Sequence, residues 1–598
     1  MSFTTRPCVA GYGGAVAAGH YLAAQIGAAE LVAGGNAADA ACAMGFALQV
    51  LEPHQNGPAG EVPMLVWDAR AERATAISGQ GPAPAAATIG AMRAQGLELI
   101  PPDGFLAAPI PAALDAWCLL LERFGTRRLA DVMAPARALA EHGFPMYGFL
   151  RLILRLVAQR FETEWPSSAA IYLPLRGDGE RQTNPPLGRF FASLMDAERN
   201  AAGSREARIR AARNSFYRGA PAAQIERFLA TPIADATGAR HAGLLTAHDM
   251  ALYAGRFEDP CEVDYRGARV WKCGPWTQGP VFLQQLRLLE GFDLRAAGSR
   301  TAEALHLQIE AAKLAYADRE ACYGDPLFAD VPLATLLSKQ YASERRAHIS
   351  REKASMALRP GMGALPRGWP RVLANGAAAG PMSAPILSSP AEPHAVAAAH
   401  GRRDTTQLVA VDRDGNVVVA TPSGGWIPTS PIVPELGFPV GTRLQMAVLD
   451  EHHPNALAPG KRPRTTLSPS LARLPGGRML GFGTPGGDQQ DQWTLPFFLD
   501  VVEHGVANLQ EAIDAPSVHS DHAPSSFYPR YAQPGVVSAE NRFEPGVLEE
   551  LERRGHKVVR GSGWDHGRVL AVMHLAAPGL SMAAASPRFQ TAYAIALP

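Results

Sequence analysis

Between residues 401 and 431 the chain reads G-R-R-D-T-T-Q-L-V-A-V-D-R-D-G-N-V-V-V-A-T-P-S-G-G-W-I-P-T-S-P, and few folds accommodate that stretch. Leu408 to Val411 and Val417 to Ala420 are apolar, β-rich runs. Asp412-Arg413-Asp414-Gly415-Asn416 between them has the composition of a turn, so the pair predicts a β-hairpin. Thr405 stands at the head of the first strand, with no histidine nearby in sequence to activate its hydroxyl. A threonine that begins a chain carries its own base, the α-amine. Cleavage between Asp404 and Thr405 would therefore turn a poor nucleophile into an activated one. The same residues also make an ordinary hairpin with two surface threonines, because threonine is common in strands.

The rest of the chain limits the classes open to it. Charged residues make up 19% of 598 and the formal net charge is zero, which argues against a nucleic-acid binder with its basic excess. No run of 18 apolar residues suggests a membrane-spanning helix. The start, Met1 to Cys8, lacks the charged and apolar regions of a signal peptide, so a cytoplasmic location is expected. Six scattered cysteines without a C-x-x-C pair are expected to be reduced and mostly buried.

Read in order, residues 20–33 predict a helix. Gly34-Gly35 ends it, and Asn36 is a good N-cap for a second helix reaching about Val50, with Asp39 in its first turn. A strand follows over Met64 to Asp68. Residues 111–141 hold two helical patterns and 147–162 another. Residues 165–240 read as Pro-rich loops and short helices. Strand and helix alternate over 243–295, and Thr301 to Ala321 reads as an amphipathic helix. Residues 351–404 carry many Ala, Pro and Gly with little periodicity, the signature of an exposed, mobile linker. Beyond the hairpin, strands are expected at 445–449 and 478–482, and helices from Gln492 to about His504, over 508–514 and over 545–554. There are no internal repeats, and the mixture of helix and strand is α+β in kind.

Asp404-Thr405-Thr406 with V-D-R-D-G-N-V-V resembles the small-subunit start of the γ-glutamyltransferase family, N-terminal-nucleophile (Ntn) hydrolases that cleave themselves before a catalytic threonine. Further matches keep the family's order. They include Gly34-Gly35-Asn36-Ala37-Ala38-Asp39, Glu52-Pro53-His54, Ala317-Asp318-Arg319, Gly324-Asp325-Pro326, Leu467-Ser468-Pro469 and Gly483-Thr484-Pro485-Gly486-Gly487. Each is weak alone, but the ordered set spans nearly the whole chain. The resemblance implies a four-layer αββα sandwich formed by two subunits of one self-cleaved precursor. Residues 1–404 would be the large subunit, 405–598 the small catalytic one, and a dimer of these is possible. It implies Thr405 as nucleophile, an acyl-enzyme, and no cofactor or metal.

Gly481-Phe482-Gly483-Thr484-Pro485-Gly486 also matches G-x-G-x-x-G, but no βαβ unit surrounds it. Gly486 and Gly487 suit an oxyanion hole better, since glycine lets backbone N–H groups approach a tetrahedral intermediate. That is the family's oxyanion position. Ser423, eighteen positions after Thr405, aligns with a hydroxyl residue near the family's nucleophile; it could hydrogen-bond the nucleophile's oxygen, and is equally a turn serine beside Gly424-Gly425. Thr465 and Thr466 replace two serines that contact the substrate carboxylate. His519-Ser520-Asp521-His522 and His452-His453 do not have zinc-site spacing and read as loop residues. No G-x-S-x-G elbow occurs.

The departures bear on substrate. Gln80 stands where family members place an arginine for the glutamyl carboxylate, and a neutral amide cannot replace a guanidinium fork. Gly425 stands where an asparagine is usual, and Gln407 where histidine is common. The run that grips the substrate ammonium is reduced to Leu444 to Glu451. Arg443 or Arg464 could enter the pocket from another strand instead. Trp426 and Gln489 to Trp493 could line a different pocket, or be a core tryptophan and a helix start. The expected activity is hydrolysis of a small amide, or acyl transfer to an amine. A true γ-glutamyltransferase (glutathione hydrolase) and an uncleaved, non-enzymatic homologue are the rivals.

Overall fold

The computed structural model describes residues 3–372, 405–588 and 590–598. The hairpin forms as the pattern expects, pairing Leu408–Asp412 with Val417–Ala420. Every residue of both strands is buried. The runs are apolar without alternation because both faces are covered. Leu408, Ala410, Val418 and Ala420 face a core shared with helices, while Val409, Val411, Val417 and Val419 face a second sheet. That is the two-residue period of a strand applied to two different cores.

The hairpin is the centre of a seven-stranded antiparallel sheet. Its order is Tyr593–Ala596, Gly14–Ala18, Leu408–Asp412, Val417–Ala420, Met64–Asp68, Arg73–Ile77 and Phe257–Glu258. A second seven-stranded antiparallel sheet runs Val9–Gly11, Leu580–Ala585, Leu570–Leu575, Arg478–Gly483, Ser470–Leu474, Ala268–Lys272 and Cys261–Tyr265. The two sheets pack face to face through one apolar core. A second core joins the first sheet to Tyr21–Val32, Ala37–Leu51 and Ala113–Phe124. A third joins the other sheet to Pro280–Leu289, Ala302–Cys322 and Gln490–Val502. Three cores between four layers make the αββα sandwich.

The Ala37–Leu51 helix begins at Asn36 with a reciprocal capping box to Asp39, and all fifteen of its residues are buried. Its small residues allow that burial. A Cβ on Gly45 would lie 2.3 Å from the Trp117 ring. The hairpin turn docks on the start of this helix. Asp412 Oδ2 accepts the Ala37 amide at 3.0 Å and the Asn416 side-chain amide at 3.0 Å.

Four expectations need correction. Residues 165–240 hold long helices, Pro185–Asn200 and Arg205–Tyr217 among them; proline at a first turn starts a helix as readily as it breaks one. Ala302–Cys322 is buried on nearly every side, not amphipathic. Its charges are matched inside the protein, Lys313 with Glu310 and Arg319 with Glu320. The strand expected at 445–449 is a 3-10 turn, Arg443–Met446. Its backbone is satisfied sideways, by the Ala107 carbonyl at 3.0 Å and by Arg530, which donates to the carbonyls of Gln445 and Ala447. The irregular segment is irregular over 351–370 and ends its described part in a short strand, Arg371–Val372, paired with Tyr531–Ala532, but that part is tied down. Gly361 N–H reaches Asp318 at 2.7 Å, Ala354 N–H the Arg554 carbonyl at 2.7 Å, and Lys313 Nζ the Ser355 carbonyl at 2.9 Å. The remainder of that segment, with Asp404, lies outside the described residues.

Candidate active site

Register places one end of both sheets together. In the first sheet Leu408 pairs with Ala420 and Ala18, and Met64 with Ala420 and Ile77. Thr405, Ser423, Glu61 and Gln80 therefore emerge at the same end. In the second sheet Ser470 pairs with Phe482 and Gly483 with Leu570. Thr465-Thr466, Gly486-Gly487 and Arg568 emerge beside one another in the same way.

Thr405 and Thr406 are wholly buried, which excludes the hairpin with surface threonines. Thr405 forms an isolated bridge with Ser423, and their hydroxyl oxygens lie 3.2 Å apart. The Thr405 carbonyl accepts from Arg568 Nη2 at 3.1 Å. Thr406 faces the helices, over Gly19 and beside Glu52. Burial pushes the Glu52 carboxyl above its ordinary value, against the pull of Arg568 and the Thr406 hydroxyl. Gln407 points at the second sheet and accepts from the Thr421 hydroxyl at 2.8 Å.

Arg443 is the residue that sequence reading named only as one of two arginines that could reach the pocket. The 3-10 turn brings it, fully buried, to Ser423, where Nη2 donates to Oγ at 2.6 Å. The same guanidinium pairs with Glu61. Burial pushes the Glu61 carboxyl up, against Arg443. Glu61 and Ser423 are also bridged through their backbones, at 2.8 and 2.9 Å. Arg464 turns away, donating to Glu320 and to the Arg319 carbonyl. Trp426 lies under the Arg443 guanidinium, 4.8 Å from ring centre to carbon, and its indole N–H donates to the Gln55 carbonyl.

Gly486 and Gly487 follow the Arg478–Gly483 strand in a turn with φ of +134° and +56°, and a Cβ on Gly486 would lie 2.0 Å from the Trp493 ring. Only glycine fits there. Two contacts hold the turn from behind. Gln278 donates to the Gly487 carbonyl at 3.3 Å, and Asp488, next in sequence, pairs with buried Arg319. Burial works against the Arg319 charge, but Asp488 and Glu320 outweigh it and hold its pKa above the usual value. Thr484 ties the turn to Thr405 through Arg568, because its hydroxyl accepts the Arg568 amide at 2.8 Å. The strand before it is antiparallel to both neighbours, which leaves the dinucleotide reading without its βαβ unit.

Thr465 and Thr466 are buried with both hydroxyls lacking a protein partner among the described residues, as does Gln80 Oε1. Just beyond them Ser468 donates to Asp491, which pairs with Lys272. Gly425 takes φ +65° against Gly57 and Gly60. Gln489 to Trp493 divide between two tasks, Asp491 in that ion pair and Trp493 over Gly486. His519, His522, His452 and His453 are not drawn together; among the described residues no group of three or more His, Cys, Asp or Glu is arranged to hold a metal. No helix among the described residues is long and apolar enough to cross a membrane.

Known proteins resemble this chain in sequence and fold over most of its length. The family model described as gamma-glutamyltranspeptidase matches residues 23–596. The Acylase ACY 1 proenzyme of Pseudomonas sp. (strain SE83) is 30% identical, over 92% of this chain and 87% of that protein. The oxamate amidohydrolase proenzyme of Klebsiella pneumoniae is 28% identical, over 91% of each. Among solved structures, LmbA2991HD is 45% identical with a TM-score of 0.92, over 99% of this chain and 100% of that one. The cephalosporin acylase from Bacillus halodurans is 29% identical with a TM-score of 0.81, over 100% and 98%. The chain belongs to the gamma-glutamyltranspeptidase family of Ntn hydrolases, and is an enzyme of that family.

Proposed function

We propose that this enzyme cleaves itself between Asp404 and Thr405 and then uses Thr405 to hydrolyse a small amide, or to transfer its acyl group to an amine. The observation that carries the reading is the burial of Thr405 at the mouth of the sandwich with its hydroxyl 3.2 Å from that of Ser423. In processing, Thr405 Oγ1 bonds to the Asp404 carbonyl carbon, the C–N bond breaks, and the hydroxyl proton passes to the nitrogen. Water then opens the ester and leaves a free α-amine. In turnover that amine takes the Oγ1 proton and returns it to the leaving nitrogen, and water or an amine releases the acyl group. Gly486 and Gly487 are the proposed oxyanion donors. Thr465, Thr466 and Gln80 are the proposed substrate contacts.

A substrate without a charged amino-acid end fits this site best. A buried carboxylate and ammonium need charged partners, or their desolvation goes uncompensated. Gln80 is neutral, Gly425 has no side chain, and the Arg443 charge is matched by Glu61. The unpartnered Thr465, Thr466 and Gln80 atoms suit neutral hydrogen-bonding groups. Relatives named as acylases, glutathione hydrolases and an oxamate amidohydrolase leave these substrate classes open to comparison.

A denaturing gel and a kinetic panel test both halves. Fragments of 404 and 194 residues are expected, the smaller beginning Thr-Thr-Gln. Thr405→Ala stays whole and inactive, whereas Thr405→Ser still cleaves, more slowly. A chain that remains intact on prolonged incubation overturns the nucleophile. On processed protein, simple amides lacking an α-amino group are hydrolysed faster than glutathione. A glutathione kcat/KM of about 10⁴ M⁻¹s⁻¹ or above overturns the substrate class.

A further inference from the structure

We propose that Arg443, held by Glu61, is a positioning residue for the nucleophile: it orients and polarises the Ser423 hydroxyl so that Ser423 donates to Thr405 Oγ1. The inference rests on Thr405 being the nucleophile and adds a charged device behind it.

The chemistry follows from what each group can do. A guanidinium only donates hydrogen bonds, so at the 2.6 Å contact Ser423 Oγ is the acceptor. A cation on one lone pair draws density from the oxygen and makes its O–H a stronger donor. Thr405 Oγ1 lies 3.2 Å from that oxygen. Its negative charge grows twice in the proposed cycle, as it loses its proton to attack and as it leaves the acyl carbon. A polarised donor stabilises both moments, and the full burial of Thr405, Ser423 and Arg443 strengthens the effect.

The position of Arg443 is over-determined. Nε and Nη2 meet Glu61, the Trp426 and Phe527 rings lie 4.8 and 5.9 Å from the guanidinium carbon, and Met446 Sδ lies 3.6 Å from Nη1. Glu61 is locked to Ser423 through their shared backbone bridge, so the carboxylate and the hydroxyl that Arg443 joins keep a fixed spacing. Stability alone is a poor reason for such a pair, since apolar residues of similar size often replace buried ion pairs without loss.

Cleavage before Thr405 reads the same hydroxyl without an external substrate. Its rate is followed on a denaturing gel for freshly purified wild type, Ser423→Ala, the pair Arg443→Met with Glu61→Gln, and the triple variant. The pair leaves no stranded charge. We expect Ser423→Ala and the pair each to slow cleavage about tenfold or more, the loss of one charge-assisted hydrogen bond. The triple variant should be within about twofold of Ser423→Ala, because Arg443 acts through that hydroxyl. A merely structural role would instead slow cleavage by the same factor in the Ser423→Ala background as in wild type. A pair variant that cleaves within twofold of wild type, or slowings that multiply in the triple, overturn the proposal. If the pair does not fold, Arg443→Lys carries the same comparison: it slows cleavage with Ser423 present and not with Ser423→Ala. Failure of the nucleophile reading itself looks different, as cleavage that survives Thr405→Ala.

Discussion

At the scale of single residues, the site depends on atoms that have no room to move. Gly486 is the sharpest case. Its φ of +134° is open to glycine, and a Cβ would overlap the Trp493 ring at 2.0 Å. Gly486→Ala would have to displace that ring or turn the backbone, and either moves the proposed oxyanion N–H groups. Removing one such donor costs about a hundredfold or more in kcat. We expect Gly486→Ala to lower kcat on the best amide substrate by that factor, with little change in KM, when rates are counted per processed molecule. Normal turnover by a folded, processed Gly486→Ala enzyme would remove this turn from the mechanism.

At the scale of elements, the hairpin is anchored at the end remote from Thr405. Asp412 joins the turn to the first amides of the Ala37–Leu51 helix, accepting from Ala37, Asp414 and Asn416. A carboxylate at a helix N-terminus also gains from the helix dipole. Asp412→Ala is expected to cost about 1.5–3 kcal/mol, the usual worth of charged hydrogen bonds. The readout is a lower urea midpoint, while turnover per processed molecule stays within about twofold. An unchanged midpoint would mean that the sheet alone holds the turn. The Arg443–Met446 turn teaches the complementary lesson. A local pattern that suits a strand gave way because Arg530 and Ala107 supplied its backbone partners from elsewhere.

At the scale of the whole molecule, several histidines are buried in the neutral form. Burial lowers His20 and His522 to about 3 and His453 and His566 to about 4. Between their unfolded value near 6.5 and these folded values, the unfolded chain binds protons that the native one does not. Stability therefore falls as pH drops through that window and is unaffected by these groups above it. The slope approaches about 1.4 kcal/mol per pH unit for each histidine. Asp325 and Glu540, whose pKa values their arginine partners hold down against burial, lose stability on the same acid side. Glu52, Glu61 and Asp491, raised by burial, offset part of it. The urea midpoint is expected to be lower at pH 5 than at pH 7.5. An equal or higher midpoint at pH 5 would show that the carboxylates dominate.

What the sequence determined by itself was local or periodic. The hairpin, the Asn36 cap, the Arg478–Gly483 strand and the Asp404-Thr405-Thr406 signature are written in neighbouring residues, and the ordered motifs were enough to name the family. The tertiary structure decided the rest. Arg443 meets Glu61 and Ser423, and Arg319 meets Asp488, across separations of 382, 20 and 169 positions. No periodicity carries such pairings, because they arise where strand ends from two sheets converge. Burial of Thr405 and Thr406 was likewise invisible in composition, since a threonine in a strand reads the same on a surface as between two packed layers.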